Sequence, residues 1–236
     1  MLKLDNHPWK SNISWQISFM LVASMLAFNM VLPTIFMKLV TCKVLLYFLF
    51  SVPNILAFVI AFFIKKKYYK EDKISDLLGI RMVNLEDIKS IFSTWGFVLL
   101  SLIPAMLVWK FCLVYFNIPH AEQQDLMALI KDASYFELSI LFFLVSIVAP
   151  LSEEIFIRRF LYGAVEELAG MKIAIVFTAI AFAIAHFYLL GLPGLLILGF
   201  ALQFLYLSTS NLANPILFHC FFNTTSLLAT RFLDVQ

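Results

Sequence analysis

An all-α, multi-pass membrane bundle is the fold class this sequence predicts, on two observations. The first is composition: the 236 residues are 62% hydrophobic and 14% charged, whereas a soluble domain is about 45–50% apolar and about 25% charged. The second is where the charges fall. None lies between Lys10 and Lys38, between Lys43 and Lys65, or between Lys89 and Lys110. Each gap reaches the roughly 20 residues that cross a hydrocarbon core. Backbone groups left unpaired in lipid are so costly that such stretches form helices. With 26 phenylalanines against seven glycines, low-complexity and disordered classes are excluded.

Taken in order, seven segments are predicted to enter the membrane, near 13–37, 44–64, 91–116, 135–157, 172–190, 193–209 and 214–232. The N-terminus reads as the first helix rather than a cleavable signal. Its first ten residues are polar, its apolar run is long and no small-residue cleavage site follows; Trp9 and Trp15 sit near the interface. Pro53 and Pro104 fall inside spans and are expected to kink them. The run "KKKYYKEDK" after the second span is expected in the cytoplasm, which puts the N-terminus inside and the C-terminus outside. The 66–90 loop, charged in both signs, reads as a solvated connector, with a short surface helix as the alternative. Residues 120–133, "HAEQQDLMALIKDA", fit an interfacial amphipathic helix. Lys110 is near enough to its helix end to snorkel. The sixth segment is short and glycine-rich. Cys42, Cys112 and Cys220 are too scattered for a disulfide framework or a metal-binding pair.

The chemistry concentrates in "APLSEEIFIRRF", residues 149–160, where four ionisable groups follow a long apolar run. Ionisable groups inside membrane segments are expensive and point to function. Residues four apart share a helix face, so Glu154 and Arg158 can pair. Glu153 points elsewhere, and Ile157 occupies the position one turn on. One carboxylate is thereby held and the other left free, which suits a general base. Arg159 reads as a snorkelling charge at a helix end, and Glu166 and Glu167 as solvated loop residues. Between Lys172 and Arg231 there is no Asp, Glu, Lys or Arg at all. In that apolar stretch "FAIAH" aligns Phe182 with His186, and "HCFFN" aligns His219 with Asn223. An imidazole one turn from a carboxamide offers donors to a developing oxyanion or a bound water. Simple helix counting leaves His186 and His219 at different depths, so the spans must be uneven for these side chains to meet Glu153.

These three motifs, EExxxR, FxxxH and HxxxN in that order, resemble those of the CAAX prenyl endopeptidase and bacteriocin-processing family of intramembrane proteases, also called the abortive-infection family. "AP" before the glutamate pair and "NPILFH" leading into the third motif fit as well. The resemblance covers about 135–232 and marks a catalytic core there, preceded by N-terminal membrane helices and a charged loop over 1–134. Arg159 stands where a glycine is frequent in the family.

The resemblance implies proteolysis in or at the edge of the membrane. By position it makes Glu153 the base that activates water and His186 a residue that helps hold it. His219 and Asn223 become oxyanion stabilisers, with Glu154 and Arg158 in support. No HExxH motif is present. A His2Glu zinc site built from Glu153, His186 and His219 is one possibility; metal-free activation of water, with no cofactor required, is the preferred one. The expected partners are the lipid bilayer and a peptide or lipidated-protein substrate, with no nucleic acid, and the expected location is a bacterial cell membrane. Peptide processing or bacteriocin self-immunity would be the role. A catalytically silent scaffold or immunity protein is the alternative, and a proton-coupled transporter would call for repeated halves that the sequence lacks.

Overall fold

The computed structural model describes residues 78–119 and 130–233, with a few isolated positions before residue 78. Apart from those positions, the spans expected at 13–37 and 44–64, the lysine-rich run and most of the 120–133 segment lie outside the described residues. The count of seven and the orientation rest on them. The described chain is all-helical: α1 spans Leu85–Tyr115, α2 Tyr135–Ala169, α3 Met171–Ile184, α4 Leu192–Thr209 and α5 Ala213–Phe232. Helices α1, α2 and α4 are long and apolar enough to cross a membrane. With them the chain is a multi-pass integral membrane protein.

Helix α1 begins six residues earlier than its apolar run suggested, because Asn84 and Asp87 form a reciprocal capping box. Asp87 is also buried and accepts from Asn214 Nδ2 of α5 at 2.7 Å. The end of the 66–90 stretch is therefore a helix start tied to the core, not a solvated connector. Helix α1 continues through Pro104.

Helix α2 runs to Ala169 instead of stopping near 157, and it is not uniform. Turns of π-helix at Leu144–Val148 and Ile155–Leu161 flank the α-helical Ala149–Glu154. Proline supplies a cause for the first. In an α-helix the ring of Pro150 would press on the carbonyl four residues back, and a wider turn relieves the clash. Glu154 to Tyr162 are buried without a break, so neighbours surround this part of the rod on every side. Two expectations are corrected here. Arg159 is buried against Tyr206, its hydrogen-bond partner, rather than snorkelling at an end. Glu166 and Glu167 lie on the helix, and Glu166 accepts from Tyr162 Oη at 2.7 Å.

A single residue, Gly170, turns α2 into α3 with φ +83°, a backbone region where a side chain is strained. Helix α3 has only 14 residues, about 21 Å, short of a hydrocarbon core of about 30 Å. It ends at Ile184 instead of reaching 190, and a loop over 185–191 leads into α4. Helix α4 packs between α1 and α3. Helix α5 has the length of a span but not the apolar composition, since Asn214, His219 and Asn223 occupy it.

Candidate active site

The α2–α3 hairpin sets the depth of the site. In an antiparallel pair, residues equally far from the turn lie level. Glu153 is 17 residues before Gly170 and His186 is 16 after it. The hairpin thus brings Glu153 and His186 level. His186 lies just past the helix, not deep within a full span.

Two imidazoles converge on one carboxylate oxygen. His186 Nδ1 is 2.7 Å from the Phe182 carbonyl, which can only accept, so Nδ1 carries the proton. Its Nε2 then faces Glu153 Oε2 at 4.0 Å. On α5, His219 Nδ1 is 2.9 Å from Glu154 Oε1, and its Nε2 is 3.9 Å from the same Glu153 Oε2. That oxygen is itself buried and accepts no hydrogen bond. The Glu153 and His186 side chains keep 25% and 33% of their exposure, while His219 keeps 3%.

Glu154 is the organiser. Its Oε2 lies 3.1 Å from Arg158 Nε, both groups being essentially sealed from solvent. The approach is off the N–H direction, making the contact electrostatic rather than a hydrogen bond. Arg158 also donates to the Gly199 carbonyl at 3.3 Å and places its guanidinium 4.9 Å from the centre of the Phe182 ring, within cation–π range. The same ring is 4.7 Å from the His186 ring and meets His219 edge-on at 5.7 Å. Phe182 therefore touches three of the ionisable groups, and its carbonyl fixes the tautomer of one. Gly199 is what lets α4 come this close: a Cβ there would sit 3.1 Å from the Ala179 carbonyl oxygen and 3.3 Å from Phe182 Cδ1.

Asn223, one turn beyond His219, donates through Nδ2 to the Val145 carbonyl at 2.9 Å. In the π register that carbonyl would bond the amide of residue 150, as Leu144 bonds Ala149. Pro150 has no amide hydrogen. The carboxamide fills the place proline leaves open and ties α5 to α2; its second amide hydrogen is not used in that bond.

The structure thus assembles Glu153, Glu154, Arg158, His186 and His219 around one point, with Asn223 adjoining on the Val145 carbonyl. Three contributors were not singled out from the sequence: the Phe182 ring as a shared contact, Gly199, and the Glu154–His219 bond. Spacing within one helix exposes the Glu154–Arg158 pair but not partners on other helices. A zinc ion tests poorly against this geometry. Among the described residues no group of three His, Cys, Asp or Glu is spaced to hold a metal. Tetrahedral zinc ligands lie roughly 3.4 Å apart given bonds of about 2.1 Å, against the 3.9 and 4.0 Å found. A water at about 2.8 Å from each atom spans such a gap comfortably.

Residues 135–225 match the family model described as type II CAAX prenyl endopeptidase Rce1-like. No curated protein and no solved structure gives a significant match.

Proposed function

We propose that this chain, whose residues 135–225 belong to the type II CAAX prenyl endopeptidase Rce1-like family, is an intramembrane endopeptidase that uses Glu153 to activate water. The observation that carries this is the unbonded Glu153 Oε2 set almost equally far from two imidazole Nε2 atoms. Three polar atoms converge there, and a water set among them can donate two hydrogen bonds and accept a third. The bond from His219 Nδ1 to Glu154 Oε1 aims its Nε2 at Glu153 Oε2.

In the proposed reaction Glu153 and His186 accept the two protons of the water, and His219 serves as a donor through Nε2–H. Glu153 removes one proton as the water oxygen bonds to the peptide carbonyl carbon. The charge that develops on the carbonyl oxygen is met by His219 Nε2–H and by the second amide hydrogen of Asn223. Collapse of the tetrahedral species breaks the C–N bond, and the proton held by Glu153 passes to the leaving amine. No metal takes part. The substrate class is a membrane-associated peptide or the tail of a lipid-modified protein, reached through the side on which Glu153 and His186 remain partly exposed.

The test is turnover by the full chain in detergent on internally quenched peptides, lipidated and unlipidated, for wild type and Glu153→Gln, with and without exhaustive chelation. Wild type should cleave with chelator present and the variant should not. Cleavage by Glu153→Gln removes the assignment, and loss on chelation restored by zinc removes the metal-free mechanism.

A further inference from the structure

The loop over 185–191 carries His186, whose ring Nδ1 bonds the Phe182 carbonyl at 2.7 Å, while Ala185 and Phe187 donate to Ala181 and Ile184 at 3.0 Å. The His186 amide reaches the Ala183 carbonyl at 3.4 Å, near the limit of a hydrogen bond. The next residue, Phe187, adopts φ +49°, a left-handed conformation unfavourable for any residue with a β-carbon. A bond from outside the loop adds to these.

Helix α1 supplies such a hold. Trp109 donates its indole N–H to the Leu189 carbonyl at 2.8 Å. One and two turns earlier on α1, Met106 and Leu102 pack on the first turn of α4, where a Cβ on Gly194 would lie 3.4 and 3.8 Å from their side chains. That close seating puts Trp109 within reach of the loop. An indole N–H needs a partner when removed from water, and the Leu189 carbonyl, which also accepts the Leu192 amide at 3.2 Å, has a second lone pair to offer. Both groups therefore gain from the bond.

We propose that Trp109 is a positioning residue for His186. From a helix outside the family-matched 135–225 segment, it holds the loop that places His186 Nε2 opposite Glu153. Helix α1 is then part of the working site and not only an anchor. The consequence for turnover rests on the proposed protease function; the hold on the loop does not.

Trp109→Phe keeps an aromatic ring and removes the donor. In the full chain in nanodiscs, amide exchange of peptides covering 185–191 should be about fivefold faster than wild type, with α5 peptides unchanged. On a cleaved peptide, kcat should fall by about tenfold or more with KM within about twofold, as for a displaced reacting group. Adding Phe187→Gly, which accepts φ +49° without strain, should recover part of kcat. Should Trp109→Phe lower Tm, benzothienylalanine at 109, with sulfur in place of the N–H, repeats the comparison at constant shape. Unchanged loop exchange overturns the inference whatever the turnover. Faster exchange with unchanged kcat overturns the positioning role. Faster exchange in a protein whose wild type hydrolyses nothing upholds the hold on the loop and removes the protease reading instead.

Discussion

The two sides of His219 are built on opposite plans. On one side lies a sealed cluster in which Glu154, Arg158, the Phe182 ring and the Gly199 carbonyl contact one another, with exposures near zero. On the other, Glu153 and His186 face each other across 4.0 Å and retain a quarter to a third of their exposure. The difference lies in what each carboxylate is bonded to. Glu154 spends both oxygens, one on Arg158 and one on His219, and such a network is rigid. Glu153 keeps an oxygen uncommitted, and a base must have one free to take a proton. Adjacent residues on one helix point about 100° apart, so a single turn supplies both.

Removing the free carboxylate should have the largest effect and the narrowest. Glu153→Gln should lower turnover by about 10⁴-fold, the upper range for a positioned general base. Its Tm should stay near wild type, because Oε2 makes no hydrogen bond to lose. Turnover and thermal melting on one preparation check both halves. An active Glu153→Gln beside a folded, inactive Glu154→Gln would mean the roles are reversed.

On the sealed side the expected damage is smaller in rate and larger in stability. Glu154→Gln leaves Arg158 buried without its counter-charge, which typically costs about 3–5 kcal/mol. It also replaces the carboxylate that orients His219, so turnover should fall by about 10²-fold, as for a group displaced by about an ångström. Adding Arg158→Met should recover part of the stability and none of the turnover. If the double variant regains both, Glu154 acts only through Arg158, and its bond to His219 is incidental.

What could be read from the sequence followed the same boundary. The Glu154–Arg158 pair is a property of one helix, and its i,i+4 spacing is visible in "EEIFIR". The three motifs locate the histidines for the same reason, each being local. Contacts between helices are not local. The Glu154–His219 bond joins positions 65 apart, and the Phe182 ring reaches groups on three segments. The boundaries of α2 and α3 were misjudged because apolar composition marks where a helix can be buried, not where it ends. Local pattern makes Glu166 a solvated loop residue and Arg159 a helix-end charge, yet Tyr162 and Tyr206 give them partners inside the bundle. The π turns leave no compositional trace beyond Pro150.

Pro150 and Asn223 offer a finer probe, since they sit where the two plans meet. Asn223→Ala strands the Val145 carbonyl and should cost about 1–3 kcal/mol. Pro150→Ala returns an amide hydrogen five residues on from Val145, in reach within the π register. The double variant should therefore be more stable than Asn223→Ala alone by about 1 kcal/mol, a coupling that a double-mutant cycle measures. Turnover separates the two functions given to Asn223. If its second amide hydrogen serves the oxyanion, Pro150→Ala will restore stability without restoring rate. Recovery of both would make Asn223 a purely structural tie.

The smallest effect should come from the most remote piece of the sealed cluster. Gly199 contributes a carbonyl to Arg158 and the space for α4 to lie against α3. In Gly199→Ala the added methyl would meet the Ala179 backbone at 3.1 and 3.2 Å and Phe182 Cδ1 at 3.3 Å, all tighter than ordinary contact. Two of these neighbours are helix backbone and cannot turn aside, so α4 must move by a few tenths of an ångström. Overpacking of this kind costs about 1–3 kcal/mol. The carbonyl moves with its helix and lengthens an Arg158 bond already at 3.3 Å. Arg158 reaches the reacting side only through Glu154 and then His219, so turnover should fall by less than in Glu154→Gln, while Tm drops measurably. If Gly199→Ala instead abolishes cleavage at an unchanged Tm, the sealed side does more than hold His219 in place, and the division between the two halves of the site fails.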